Sequence, residues 1–261
     1  MSLLPNMASP EANLSVLAFL VLAAFFAGVV DSIAGGGGLI TLPALLATGL
    51  PPHLALATNK GQSSFGVVSS FVSFWRRDGI DRHRVPIAFA GSAVGALAGA
   101  FLVLAVRPEP LRPIVMGLLV VAAILVALPR RMRPRVRNWE SPTAVLAGFA
   151  LAIGFYDGFF GPGAGSLLIV GFTMLFGDTL TRASGNAKTV NLASNLTALA
   201  LFALRGNVVW RLALPMAAAS AAGAFFGTRL AIRRGDRFVG AVVFFVVIAI
   251  VVKLGTDLVR H

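Results

Sequence analysis

Read for apolar and polar positions, the chain is a succession of apolar runs bounded by proline, glycine and arginine. The first five lie near residues 13–34, 38–49, 53–75, 86–106 and 111–128. Five more follow near 142–160, 164–176, 180–204, 210–231 and 236–256. Most are close to the roughly 20 residues that a helix needs to cross a hydrocarbon core about 30 Å thick. No stretch alternates apolar and polar residues in segments of about ten, as a membrane β-barrel would. The pattern therefore predicts an all-α, polytopic transmembrane helical bundle. The opening residues MSLLPNMASPEA lack a basic leader, and the run after them is too long for a cleaved signal, so it is read as the first membrane helix.

Two stretches break the pattern. AGVVDSIAGGGGLITLPALL, residues 27–46, places Asp31 and four glycines inside an apolar run, and GFYDGFFGPGAGSLLIV, residues 154–170, does nearly the same around Asp157. The recurrence extends further. Lys60 and Lys188 stand 128 residues apart, and that offset also carries Gly95 to Gly223 and Gly99 to Gly227; an offset of 126 carries Asp31 to Asp157, Gly35 to Gly161 and Gly37 to Gly163. A two-residue insertion between glycines and lysine reconciles the registers. The chain reads as a duplication: a first repeat at 1–128, the basic linker PRRMRPRVRNWE at 129–140, and a second repeat at 141–261.

Five crossings per copy force the two copies to face opposite ways, with broken or re-entrant helices at the glycine motifs. Charge agrees with parity. If 129–140 is cytoplasmic, RRDGIDRHR at 76–84 and RRGDR at 233–237 fall on that side too, where the positive-inside bias places basic loops. This puts the protein in the inner (cytoplasmic) membrane as a multi-pass chain with the lipid bilayer as its solvent. Whether the short second and seventh segments cross or return is left open by the pattern.

Composition then excludes several functions. With 57% hydrophobic and 12% charged residues, too little polar surface exists to cover a soluble globule. The net charge of +12 sits in short clusters between apolar runs, without the basic face and interleaved aromatics of a nucleic-acid binder. Cysteine is absent and the histidines are three, so no metal site of recognisable spacing is expected. No cofactor fingerprint and no nucleophile with an adjacent base is evident, which argues against an enzyme.

The chemistry lies at the interruptions. Backbone that leaves helical geometry within a membrane exposes N–H and C=O groups, at several kcal/mol each, unless they line a wet cavity or bind something. Helices restarting after Gly38 and after Gly163 would turn their N-terminal N–H groups and positive dipole ends inward, an arrangement suited to an anion. Gly36, Gly37, Gly38, Gly163 and Gly165 are the candidate backbone donors. Lys60 and Lys188 lie deep in their segments, where a lone cation costs about 3 kcal/mol and needs a carboxylate, a carbonyl cage or a bound anion. Asn59, Gln62 and Asn191 are the candidate neutral contacts beside them. Tyr156, next to Asp157, can bond either a substrate or that carboxylate. Asp31 and Asp157 have two readings: buried bridges to the lysines that hold the broken helices, or proton carriers that couple to anion movement. His53, after Pro51-Pro52, reads as a surface residue.

The ordered runs DSIAGGGGLITLPALLATGLPPHLALATNKGQ, GFYDGFFGPGAGS and NAKTVNLASN resemble the TauE/SafE family of sulfite exporters and small-anion permeases, over roughly residues 13–256. The resemblance implies a carrier for sulfite or an organosulfonate, working by alternating access on a central, positively charged pocket. A channel or membrane receptor using the same pocket is the alternative. Which anion moves, in which direction, and whether the chain forms a homo-oligomer are not specified by these residues.

Overall fold

The computed structural model describes residues 10–127 and 143–259, so the linker expected at 129–140 lies outside the described residues. All regular structure among them is helical: α1 Pro10–Ala34, α2 Gly38–Ala47, α3 Pro52–Trp75, α4 Val85–Ala105, α5 Pro108–Ala127, α6 Thr143–Phe159, α7 Ala164–Phe176, α8 Leu180–Leu204 and α9 Trp210–Val259. Helix boundaries follow local chemistry. Pro52 starts α3, where its missing N–H is no loss; Gly163 and Gly177 bracket α7 in left-handed conformations; and the Thr179 hydroxyl accepts from the Arg182 N–H to cap α8. The last two apolar runs join in α9, which is interrupted at Gly235 by a non-helical backbone (φ 67°, ψ −163°). Among the described residues, Leu14–Ala34, Val85–Ala105 and Leu180–Leu204 are long and apolar enough to cross a bilayer. The outward-facing side chains are apolar as well, including Leu14, Phe19, Leu22, Val94, Phe101, Leu214 and Phe226. This is a helical membrane protein.

The short helices answer the question of the second and seventh segments. α2 has 10 residues and α7 has 13, so at about 1.5 Å per residue each spans only roughly half to two-thirds of a hydrocarbon core. Each follows α1 or α6 across the glycine motif and packs against it.

Packing between the long helices relies on small residues meeting backbone. A Cβ on Gly95 of α4 would come within 2.1 Å of the Leu151 carbonyl oxygen on α6, and one on Gly223 of α9 within 2.1 Å of the Phe25 oxygen on α1. Gly154 of α6 lies likewise against Ser92 of α4, and Gly28 of α1 against Ser220 of α9. Every one of these partners corresponds under the sequence offsets: Gly95 with Gly223, Leu151 with Phe25, Gly154 with Gly28, Ser92 with Ser220. The α4–α6 and α9–α1 seams thus use residues that correspond under those offsets, and each joins a helix before residues 128–142 to one after them. Close approach of this kind drives association where lipid removes the hydrophobic incentive.

Polar residues gather at one end of the bundle. Arg84 pairs with Asp178 at 3.0 Å and with Asp81 at 3.3 Å, Asn186 donates to Asp178 at 2.7 Å, and Thr181 donates through its N–H and hydroxyl to Asp236 at 2.8 and 2.6 Å. Connections 76–84, 177–179 and the α9 break therefore meet, which keeps the basic stretches 76–84 and 233–237 together. His53 is not a free surface residue. It is partly buried, and its Nε2 lies 3.0 Å from both the Val103 and Val106 carbonyls, so its N–H ties the start of α3 to the end of α4.

The seams generate a paired expectation. Gly95→Ala and Gly223→Ala should each destabilise the detergent-solubilised protein by about 1–3 kcal/mol, because the added carbon meets backbone that cannot yield. Gly148→Ala, where a Cβ meets nothing within 4 Å, should leave stability unchanged or slightly raised. Thermal unfolding of the three variants checks this.

Candidate functional site

The site begins where α1 stops inside the protein. The last carbonyls of a helix have no partner within it, and in an apolar interior they must find one elsewhere. Here side chains of the second half supply the donors. Lys188 Nζ donates to the Asp31 oxygen at 2.5 Å, the Ser184 hydroxyl reaches the Ser32 and Ile33 oxygens at 3.2 and 3.1 Å, and the Ser166 hydroxyl reaches those of Ala34 and Gly35 at 2.9 Å each.

Beyond that end, the chain turns through Gly35 (φ 68°) and Gly36 (φ 106°) into α2. A Cβ on Gly35 would fall 2.2 Å from the Gly165 carbonyl carbon, so the two glycine breaks lie directly against each other. Only residues without a side chain permit that contact and that backbone together. Expecting the two motifs to converge is therefore right in space. The donors are directed differently from expectation, however. The N–H groups of Gly36 and Gly37 both point at Asp31 Oδ1, at 3.2 Å, so this carboxylate fills the start of α2 that was assigned to an external anion.

The second half solves the same problem with other atoms. Pro162 occupies the position equivalent to Gly36 and has no N–H to give. Asp157 instead accepts from side chains of α8: the Ser194 hydroxyl in a short hydrogen bond, and Asn195 Nδ2 at 3.2 Å. The equivalent positions in α3 are Gly66 and Val67, which offer neither donor.

The charges pair across the halves. Lys60 Nζ lies 2.8 Å from Asp157 Oδ1, and Lys188 Nζ lies 2.8 Å from Asp31 Oδ2. The Lys60, Asp157 and Lys188 side chains are nearly or wholly sealed, while Asp31 keeps 26% of its side chain exposed. Two ammonium groups thus face two carboxylates, and the expected positive hollow is charge-balanced. Neighbouring polar groups extend the network: Thr41 donates to Asn59 Oδ1 at 2.5 Å, Gln62 Nε2 to the same oxygen at 3.0 Å, and Ser63 to Asn195 Oδ1 at 2.7 Å.

Between the breaks and helices α3 and α8 is a small, half-open cavity lined mostly by polar residues and glycine. Of the residues singled out from the sequence, Asp31, Gly36, Gly38, Asn59, Lys60, Asp157, Gly163, Gly165 and Asn191 line it. Gly37 and Gln62 line an adjoining recess instead. Lys188 has no exposed surface and stands behind Asp31, off the cavity wall. Tyr156 is also off the wall, donating its hydroxyl to the Pro162 carbonyl at 2.7 Å, where it braces the turn. Ser63 and Asn195, which belong to the neutral hydrogen-bonding groups clustered around the lysines in sequence, line the cavity as well, and so does Gly161, which was not expected there. A positional signal for the first two exists: Ser63 is three residues after Lys60 and Asn195 seven after Lys188, on the same helix faces as the lysines. Asn191 Oδ1 is buried with no partner among the described residues.

Breaking one member of a buried pair leaves its partner's charge uncompensated, at about 3–5 kcal/mol. Lys188→Met should therefore lower the stability of the purified protein by that order, and adding Asp31→Asn should recover part of the loss. Denaturation in detergent measures both; equal losses in single and double variants would show that the two groups do not act as a pair.

The family model described as "Sulfite exporter TauE/SafE" matches residues 20–254. The chain is 38% identical over 244 residues to "Probable membrane transporter protein ORF9" of Sinorhizobium sp., covering 93% of each protein. It is 37% identical to "Probable membrane transporter protein YfcA" of Escherichia coli K12, covering 93% of this chain and 90% of that one. A "Probable membrane transporter protein" of Haemophilus influenzae is 31% identical over 95% of this chain and 97% of its own. No solved structure gives a significant match. With nearly its whole length accounted for by the family pattern, the chain belongs to the TauE/SafE family of membrane transporters.

Proposed function

We propose that this protein is a multi-pass secondary carrier of the cytoplasmic membrane that moves a small anion, sulfite or an organosulfonate, by alternating access, with no catalytic step. The observation that carries the reading is the cavity where two helix breaks meet. It offers the Lys60 ammonium, the Asn59, Ser63, Asn191 and Asn195 side chains and glycine backbone in a space fit for a small oxyanion. The unpartnered amide oxygen of Asn191 supports a ligand there, because a buried polar atom without a partner costs about 1–3 kcal/mol and an amide can turn to offer either end.

An inverted repeat belongs to the same proposal. The matched seams α4–α6 and α9–α1, and the crossed pairs Lys60–Asp157 and Lys188–Asp31, are what two equivalent halves would make when each grips the other. Such halves can exchange roles, so that a closed end becomes the open one around a fixed central site.

The test is flux in proteoliposomes with sulfite, sulfoacetate, sulfate and a simple carboxylate. A carrier gives saturable flux and trans-stimulation for at least one of these; flux that rises without saturation would replace it with a pore. Lys60→Ala should lower flux about 10- to 100-fold with the protein still inserted, since a hydrogen bond to a charged group contributes about 1.5–3 kcal/mol. Lys188→Ala should weaken flux together with the yield of folded protein. Unchanged flux in both variants would remove the cavity from the mechanism.

A further inference from the structure

The balance of charge in the cavity has a consequence for what must travel with an anion. Lys60 is the lysine on the cavity wall, and its ammonium is already held by Asp157; Lys188 is sealed behind Asp31 and bound to that residue's carbonyl as well as its carboxylate. An incoming anion can therefore reach a cation only by competing with Asp157. Displaced but still ionised, that carboxylate would leave the sealed interior with one excess negative charge, which low-dielectric surroundings penalise severely.

The two aspartates differ in how they could respond. Asp31 is met by two backbone N–H groups and an ammonium, all donors that cannot accept a proton from it. Asp157 is met by the Ser194 hydroxyl, which donates now but has lone pairs to accept, and by the rotatable amide of Asn195. A protonated Asp157 can reverse its bond to Ser194 and stay satisfied after Lys60 has left it. Among the described residues, the groups that meet it are Lys60 from α3, Ser194 and Asn195 from α8, and from its own helix the neighbouring Tyr156, whose hydroxyl is committed to Pro162; Asp31, which also lines the cavity, is paired with Lys188. On the α4 side of α6, the nearby hydroxyl of Ser92 is committed to the Val190 carbonyl.

Resting on the anion-carrier reading, we infer that Asp157 is the coupling residue, taking up one proton for each anion that Lys60 binds, while Asp31 and Lys188 form a fixed structural pair. The exchange balances. An anion and a proton enter; the Lys60–Asp157 ion pair becomes a Lys60–anion pair and a neutral carboxylic acid; the net charge of the site is unchanged for a monovalent anion. Release on the far side returns the proton and re-forms the pair.

The experiment uses the full chain in proteoliposomes near neutral pH with an entrapped pH indicator and labelled isethionate, a monovalent sulfonate that carries no titratable carboxyl of its own. In wild type, uptake should acidify the lumen with about one proton per anion, and an inwardly directed proton gradient should drive accumulation against an isethionate gradient. In Asp157→Asn, gradient-driven accumulation should vanish while isethionate counterflow persists at a reduced rate. Ser194→Ala, which keeps the carboxylate and lowers the risk of misfolding, should shift the pH dependence of uptake. Isethionate uptake without acidification in wild type would overturn the inference and leave the carrier reading intact, and so would proton-driven accumulation in Asp157→Asn. Absence of counterflow in wild type for isethionate and for every anion of the flux assay would overturn both.

Discussion

A helix that ends inside an apolar protein leaves a row of carbonyl oxygens with nothing to bond, and no water to rescue them. The structure is organised around meeting that demand. α1 ends beside the second half, where Ser184 and Ser166 take up the carbonyls of residues 32–35 and Lys188 adds a second donor to the Asp31 carbonyl, which already accepts the Gly35 N–H. Lys188 and Ser184 are positioned because α8 passes alongside, and Ser166 because Gly35 and Gly165 let the turn after α1 touch the start of α7. Removing the turn glycines would separate the helices; removing the donors would leave the buried carbonyls at that contact without partners. Fold and site are consequences of one requirement.

Positions that correspond under the sequence offsets differ in what they offer the two carboxylates. Gly36 and Gly37 give Asp31 two amide donors, whereas proline at the position equivalent to Gly36 deprives Asp157 of one. Ser194 and Asn195 replace them from α8, at positions where α3 carries Gly66 and Val67. One carboxylate is therefore set in backbone and the other in side chains. Side chains can rotate within a helix that stays put; backbone donors move only if the turn itself refolds. Two carboxylates that look alike in sequence are thus differently free.

Much of this was visible before any coordinates. Apolar run length placed the long helices to within a few residues, because proline and glycine end helices by local chemistry that needs no tertiary context. Lys60 and Lys188 stood out because an ammonium in an apolar run demands an explanation, and both have carboxylate partners. Which aspartate meets which lysine was not legible: Asp31 and Lys60 belong to the same half, and only the docking of helices decides that each pairs across instead. The Gly36 and Gly37 amides were read as free for a ligand because nothing in their spacing shows that Asp31 folds back onto them. His53 was misjudged for a similar reason. Its partners are main-chain oxygens of Val103 and Val106, which carry no residue-specific signature.

The crossed ion pairs also bear on how the chain comes to exist. Lys60 finds its counter-charge 97 residues later, and Asp31 waits 157 residues for its own. The first half consequently enters the bilayer with its deep charges still lacking their native partners, and they gain them only when the second half arrives. Synthesis order becomes an assembly order, in which the last helices inserted complete the first.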